Sequence, residues 1–141
     1  MKKFLFLVII ILMGFAAKAQ KTHADTSQVY NEVDKLPEFP GGTDAFKAYV
    51  NSSLKKSNRK DTSAGMVVVT FVIEKDGSPT NPITTLSFNP EADSIAIKIV
   101  GNSPKWKPGI NNGNKVRTKF SVPIKFGTPT GGPPDVKELK N

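Results

Sequence analysis

Hydrophobic side chains recur along this chain with two periods. From Val116 to Phe126, Val116, Thr118, Phe120, Val122, Ile124 and Phe126 hold the even positions, and Arg117, Lys119, Ser121, Pro123 and Lys125 the odd ones. A period of two over that length predicts a strand with one face on a core and one in water. Pro123 has no backbone N–H, and a central ladder would lose a hydrogen bond there, so the strand is expected at a sheet edge. Met66–Ile73 is nearly continuous and β-branched, which predicts a central strand covered on much of both faces. Asp76-Gly77 then signals a hairpin turn, with a shorter strand expected over Ile83–Phe88.

The other period is helical. Phe46, Tyr49, Val50 and Leu54 fall on one face of a helix of about three turns. Thr43 is its expected cap, and Asp44 sits well at the positive end of its dipole. Ala92, Ile95, Ala96, Ile99 and Val100 mark a second helix. Asn89-Pro90-Glu91 supplies its cap, its first-turn proline and its acid, and Gly101-Asn102 with Pro104 its stop. Lys55–Ser63 lacks a hydrophobic period and reads as a loop or a frayed helix end. The predicted order is α–β–β–α–β, a two-layer α+β domain with both helices on one face of a three-stranded, mainly antiparallel sheet.

The ends differ from this middle. Met1-Lys2-Lys3, an apolar run over Phe4–Ala17 and Ala17-Lys18-Ala19 describe a secretory signal peptide cleaved after Ala19. Spanning a bilayer takes roughly 20 apolar residues, more than this run holds. The alternative is an uncleaved inner-membrane anchor. Cleavage would leave about 120 residues, enough for one modest domain. Residues 20–35 read as a flexible lead-in, 36–126 as the folded domain, and 127–141, with Gly131-Gly132-Pro133-Pro134, as a disordered tail.

Composition narrows the chemistry. The net charge of +8 falls by three with Lys2, Lys3 and Lys18, and the remaining lysines are scattered without interleaved aromatics, so nucleic acid is not an expected partner. The absence of cysteine removes disulfides, thiolate metal sites, a cysteine nucleophile and a lipidated N-terminal cysteine. The single histidine, His23, lies in a polar segment near the expected new N-terminus. Asp44, Glu91 and Asp93 read as helix-start acids and Asp76 as a turn residue. Gly41-Gly42 reads as a tight turn, since no P-loop lysine follows. Trp106, between lysines and prolines, reads as a lid on one end of the core. No nucleophile–base pair, metal cluster or cofactor loop is evident, so catalysis, a cofactor and a small-molecule substrate are not expected.

Several segments together resemble a known family. They are Pro37-Glu38-Phe39-Pro40-Gly41-Gly42 before the aromatic-bearing helix, Gly65 before the β-branched strand, and Pro104-Lys105-Trp106-Lys107-Pro108-Gly109. Asn112-Gly113 and Val122-Pro123-Ile124-Lys125-Phe126 complete the set. In order and spacing they look like the TonB C-terminal domain, in the form common in Bacteroidota-type bacteria, over Leu36–Phe126. The resemblance implies a periplasmic module in energy-coupled transport. In the family the last strand captures an extended segment of an outer-membrane TonB-dependent transporter, the TonB box, by strand addition. Carried onto this chain, the partner-binding edge is Val116, Arg117, Thr118, Lys119, Phe120, Ser121, Val122, Ile124, Lys125 and Phe126, with Arg117, Lys119 and Lys125 tuning which segment is accepted. An exposed edge can also pair with its own copy or with another periplasmic protein, so a homodimer is a further expectation. The lead-in from Gln20 to Leu36 can stretch only about 60 Å, short for a linker crossing the periplasm. The expected role is therefore binding rather than force transduction by this chain alone; the alternatives are an energy transducer held in the inner membrane by an uncleaved N-terminal segment, or a stand-alone periplasmic interaction or regulatory protein.

Overall fold

The structure, a computed structural model, describes residues 27–127; the expected signal peptide, His23 and the tail beyond Gly127 lie outside the described residues. The elements run β1 (Val29–Tyr30), α1 (Gly42–Lys56), β2 (Gly65–Ile73), β3 (Pro79–Leu86), α2 (Pro90–Gly101), β4 (Gly109–Asn111) and β5 (Asn114–Phe126). The α+β class, both helices and the three main strands stand as read. The sheet does not: it has five strands, in the order β1-β5-β2-β3 with β4 pairing β5, and it is mixed because β1 runs parallel to β5. The expectation of three strands is corrected on that point. The missing two are short, and Val29–Tyr30 falls inside the segment read as a flexible lead-in.

β2 is central, as its continuous apolar run requires, with β5 and β3 antiparallel on its two sides. The pairs Val67↔Ile124, Val69↔Val122, Phe71↔Phe120 and Ile73↔Thr118 bring odd positions of β2 and even positions of β5 to one face. That face carries the core. Val67, Val69, Phe71 and Ile73 are buried with Val122, Ile124 and Phe126. Ala92, Ala96, Ile99 and Val100 of α2 and Val50 of α1 close the same cluster, and the Tyr49 hydroxyl ties the helices by donating to the Ile99 carbonyl at 2.9 Å.

Trp106 lids this core as expected. It is 5% exposed, lies 5.3–5.7 Å from the rings of Phe39, Phe46, Phe71 and Phe120, and donates Nε1–H to Ser103 Oγ at 3.0 Å. Its own N–H donates to the carbonyl of Gly77, the positive-φ glycine (φ 88°) of the β2–β3 turn. The lid and the hairpin are thereby one unit.

Two boundaries differ from expectation. Thr43 is not the cap of α1: the helix begins at Gly42, and the capping position is Gly41, which makes no side-chain cap bond. Gly41 and Gly42 both have positive φ, and Gly42 N–H donates to the Phe39 carbonyl at 2.8 Å, so the glycine turn delivers the chain into the helix one residue early. β3 occupies Pro79–Leu86 rather than Ile83–Phe88. Asp93 of α2 takes the Phe88 N–H at 3.0 Å and the Ser87 hydroxyl, which ends the strand before them. Asn89 caps α2 as read, accepting from Ala92 N–H at 2.8 Å.

Candidate functional site: the outer edge of β5

Thirteen residues long, β5 is paired differently along its length. Asn114, Lys115 and Val116 pair with β4, and Arg117 and Thr118 pair with β1 on the side away from β2. From Lys119 to Phe126 only β2 is in register with it among the described residues. An edge over the whole of Val116–Phe126 is therefore corrected: Val116, Arg117 and Thr118 are covered, and the open edge starts at Lys119. Two short strands produce that difference, and neither has a hydrophobic period that would announce it.

Register decides which backbone groups the open edge presents. The Val68 carbonyl accepts from Thr85 Oγ1 of β3 at 3.3 Å, and the Val72 carbonyl from Thr80 Oγ1 at 3.4 Å. Val68 and Val72 thus turn their polar groups toward β3, and their partners on β5, Pro123 and Lys119, form non-bonded pairs with β2. Alternation gives Ser121 and Lys125 the same orientation. The missing N–H of Pro123 costs the β2 ladder nothing, because that position faces outward. Free N–H and C=O groups of Ser121 and Lys125, with the Pro123 carbonyl, line the edge. Phe120, Val122, Ile124 and Phe126 bond inward to β2.

Side chains divide by the same parity. Val116, Thr118, Val122, Ile124 and Phe126 are buried on the core side and Phe120 is half-buried there, while Lys119, Ser121, Pro123 and Lys125 are exposed on the outer face. Ser121 Oγ lies 2.8 Å from Thr70 Oγ1, which in turn meets Thr85 Oγ1 at 3.0 Å, a hydroxyl chain across three strands. Met66, Ile83 and Leu86, 37%, 56% and 47% exposed, add apolar surface to the outer face.

Arg117 is half-buried and already engaged. Its Nε and Nη2 donate to the two Glu74 carboxylate oxygens at 2.7 and 2.9 Å, and Nη1 donates to the Ser27 carbonyl at 2.8 Å. Glu74 also accepts from Thr80 Oγ1 at 2.7 Å. The Arg117 hydrogen bonds hold the Glu74 carboxyl below its ordinary range against the opposing effect of burial, and raise Arg117 in return. Arg117 therefore fastens β1 and β2 to β5. Reading the residue types alone missed Glu74, 43 positions away, because no local pattern marks that pairing.

The segment after α1 is loop, as read, but a fastened one. Glu91 accepts the N–H groups of Lys60 and Asp61 at 2.9 and 3.0 Å, Asp61 accepts from Asn89 Nδ2 at 2.7 Å, and the Arg59 guanidinium stands 4.9 Å from the Phe126 ring centre. Between α1 and α2 lies an open groove of about 520 Å³ lined by Tyr49, Ser53, Ile95, Lys98 and Ile99 among others. Among the described residues no three His, Cys, Asp or Glu side chains gather to hold a metal, and no helix is long and apolar enough to cross a membrane.

Compared with protein families, residues 56–128 match the model described as Gram-negative bacterial TonB protein C-terminal, just over half of the chain. The matched span includes β2, β3, α2, β4 and all of β5. No curated protein and no solved structure matches the chain.

Proposed function

We propose, for a chain that belongs to the family of Gram-negative bacterial TonB protein C-terminal domains, that its partners are outer-membrane TonB-dependent transporters, captured by strand addition on the outer edge of β5. The family is one of non-enzymatic, periplasmic interaction domains, and the reading takes this domain to act as one of them. The observation that carries the finer reading is the unpaired edge from Lys119 to Phe126, inside the matched span and faced by free backbone donors and acceptors. An extended segment laid there would complete the ladder that β1 begins at Arg117 and Thr118. The role in transport follows the same reading: the domain grips the periplasmic end of a transporter, and the chain reaches the periplasm by loss of Met1–Ala19.

The test is a photo-crosslinker placed at Ser121 and, separately, at Ser94 on α2, in the native cells. The reading expects transporter adducts from Ser121 and none from Ser94. Adducts from both positions alike, or transporter adducts from neither, would overturn it. Mass determination of the native protein checks the export step, with Gln20 as the expected first residue.

A further inference from the structure

The sheet has a second face, and it is apolar. In β2 the odd positions are buried in the core with α1 and α2, while the even ones, Met66, Val68, Thr70 and Val72, turn the other way. A run as continuous as Met66–Ile73 belongs to a strand covered on both sides, yet both helices lie on the core side. Register sets the outer face out in rows: Met66 beside Lys125, Leu86 beside Val68 and Pro123, Ile83 beside Thr70 and Ser121, Thr80 beside Val72 and Lys119. Three of the four large apolar side chains exposed among the described residues, Met66, Ile83 and Leu86, fall here. The apolar strip follows β2 and β3 for about 20 Å and is about 10 Å wide.

Free charge is confined to one border of the strip. Lys119 and Lys125 of β5 are exposed, and neither makes an ion pair among the described residues. Glu74, at the far end, is held by Arg117 and Thr80, and Ile83, Thr85 and Leu86 on the β3 border are uncharged. A second copy of the chain fits such a face poorly. Two-fold pairing face to face lays the β5 lysines either over those of the other copy or over its apolar β3. The strip, on the order of 200 Å² in plan, is also far below the roughly 800 Å² per partner of a stable interface. A helix fits it: a diameter of about 10–12 Å matches the width, and about thirteen residues match the length.

We propose that a partner protein's amphipathic helix packs on this face, with its apolar stripe over Met66, Val68, Ile83 and Leu86 and carboxylates along the flank above Lys119 and Lys125. The two-layer domain then has helices on both faces of its sheet, which covers β2 as its composition demands. Charge fixes the orientation of the helix, because a lysine-bearing flank would set cations against cations. The surface is the face of the sheet and not the edge of β5, so the proposal does not depend on strand addition.

Fourteen-residue peptides, stapled into helices on the side away from the stripe, test this against the full chain by NMR titration. The first is Leu-Glu-Gln-Leu-Ala-Glu-Ala-Leu-Glu-Gln-Leu-Ala-Glu-Ala, the second has lysine at every glutamate, and the third is a scramble of the first. The glutamate peptide should shift the methyl signals of Met66, Val68, Ile83 and Leu86. It should bind about tenfold tighter than the lysine peptide at low salt and lose much of that margin at high salt. The scramble should leave those signals unmoved. K119E/K125E should invert the order of the two charged peptides, whereas K55E/K56E, an equal change of charge on the last turn of α1, should preserve it. I83K/L86K, shown to be folded by its amide spectrum, should bind neither. Equal binding of the two charged peptides, equal shifts from the scramble, or shifts centred on the α1–α2 groove would overturn the proposal, as would no binding by any peptide. A dimer of the full chain in sedimentation that I83K/L86K dissolves would give the face to a second copy and overturn it as well.

Discussion

Replacing Phe120 and, separately, Ser121 by proline separates the two sides of β5. The Phe120 N–H belongs to the ladder with Phe71. Proline there removes that bond and crowds the facing strand, and it also deletes a ring in contact with Trp106 and Phe71. Backbone disruption of this kind costs about 3 kcal/mol, and truncating a half-buried aromatic costs about 2 kcal/mol more. A domain of this size has on the order of 5–15 kcal/mol in total, so Phe120→Pro should leave it largely unfolded or lower Tm by more than about 20 °C. The Ser121 N–H points away from β2, as that of Pro123 would. Proline at this position loses only the Ser121–Thr70 hydroxyl contact, about 1 kcal/mol, and the extended Phe120 before it already suits a proline. Tm should fall by roughly 4–8 °C. Binding of a transporter's periplasmic segment, measured calorimetrically with synthetic peptides, should weaken about tenfold, since one ladder bond is lost and the ring stands where the partner strand must lie. The reasoning fails if Ser121→Pro unfolds the domain while Phe120→Pro does not, since the parity would then be reversed. It fails also if a folded Ser121→Pro binds like the parent.

Stability should fall as pH drops below the ordinary glutamate range of about 4.3. Glu74 is held below that value by Arg117, so its contribution is complete above the unfolded pKa and is lost on acidification; Glu74→Gln should flatten that limb in urea titrations run at several pH values. Asp76 behaves alike further down, since the Ser78 N–H and Lys105 hold its carboxyl at about 2, and Asp76→Asn should remove the pH dependence between about 3.9 and that point. Arg117→Met should lower Tm, because Glu74 loses its bidentate partner, and should raise hydrogen exchange at Val29 and Tyr30, which would be unchanged if Arg117 did not fasten β1. Two positive-φ glycines should respond unequally to alanine. Gly113, with open space around it, should lose about 1 kcal/mol, whereas at Gly77 the new Cβ would sit 2.0 Å from the Trp106 carbonyl oxygen and the loss in thermal melts should be clearly larger.

What was legible in the sequence and what was not divide along a physical line. The two periods gave the faces of β5, α1 and α2 correctly because burial of a face is written locally, residue by residue, while the continuous run of β2 gave its central place but not its faces. Asn89 was legible as a cap for the same reason, whereas Thr43 was misread because a glycine turn competes with a hydroxyl cap and wins one residue earlier. Pro123 told the truth about its own position: a missing N–H must face outward, and it does. It could say nothing of Val116–Thr118, where edge or interior depends on whether another segment arrives. Val29 and Tyr30 arrive there in two residues with no period, tied by an Arg117 bond that spans 90 positions. That distinction governs the proposed function as well. A strand's faces follow from its own composition, but its free edge is whatever the rest of the chain leaves uncovered. Here the uncovered length runs from Lys119 to Phe126, and only within it can a partner strand be read.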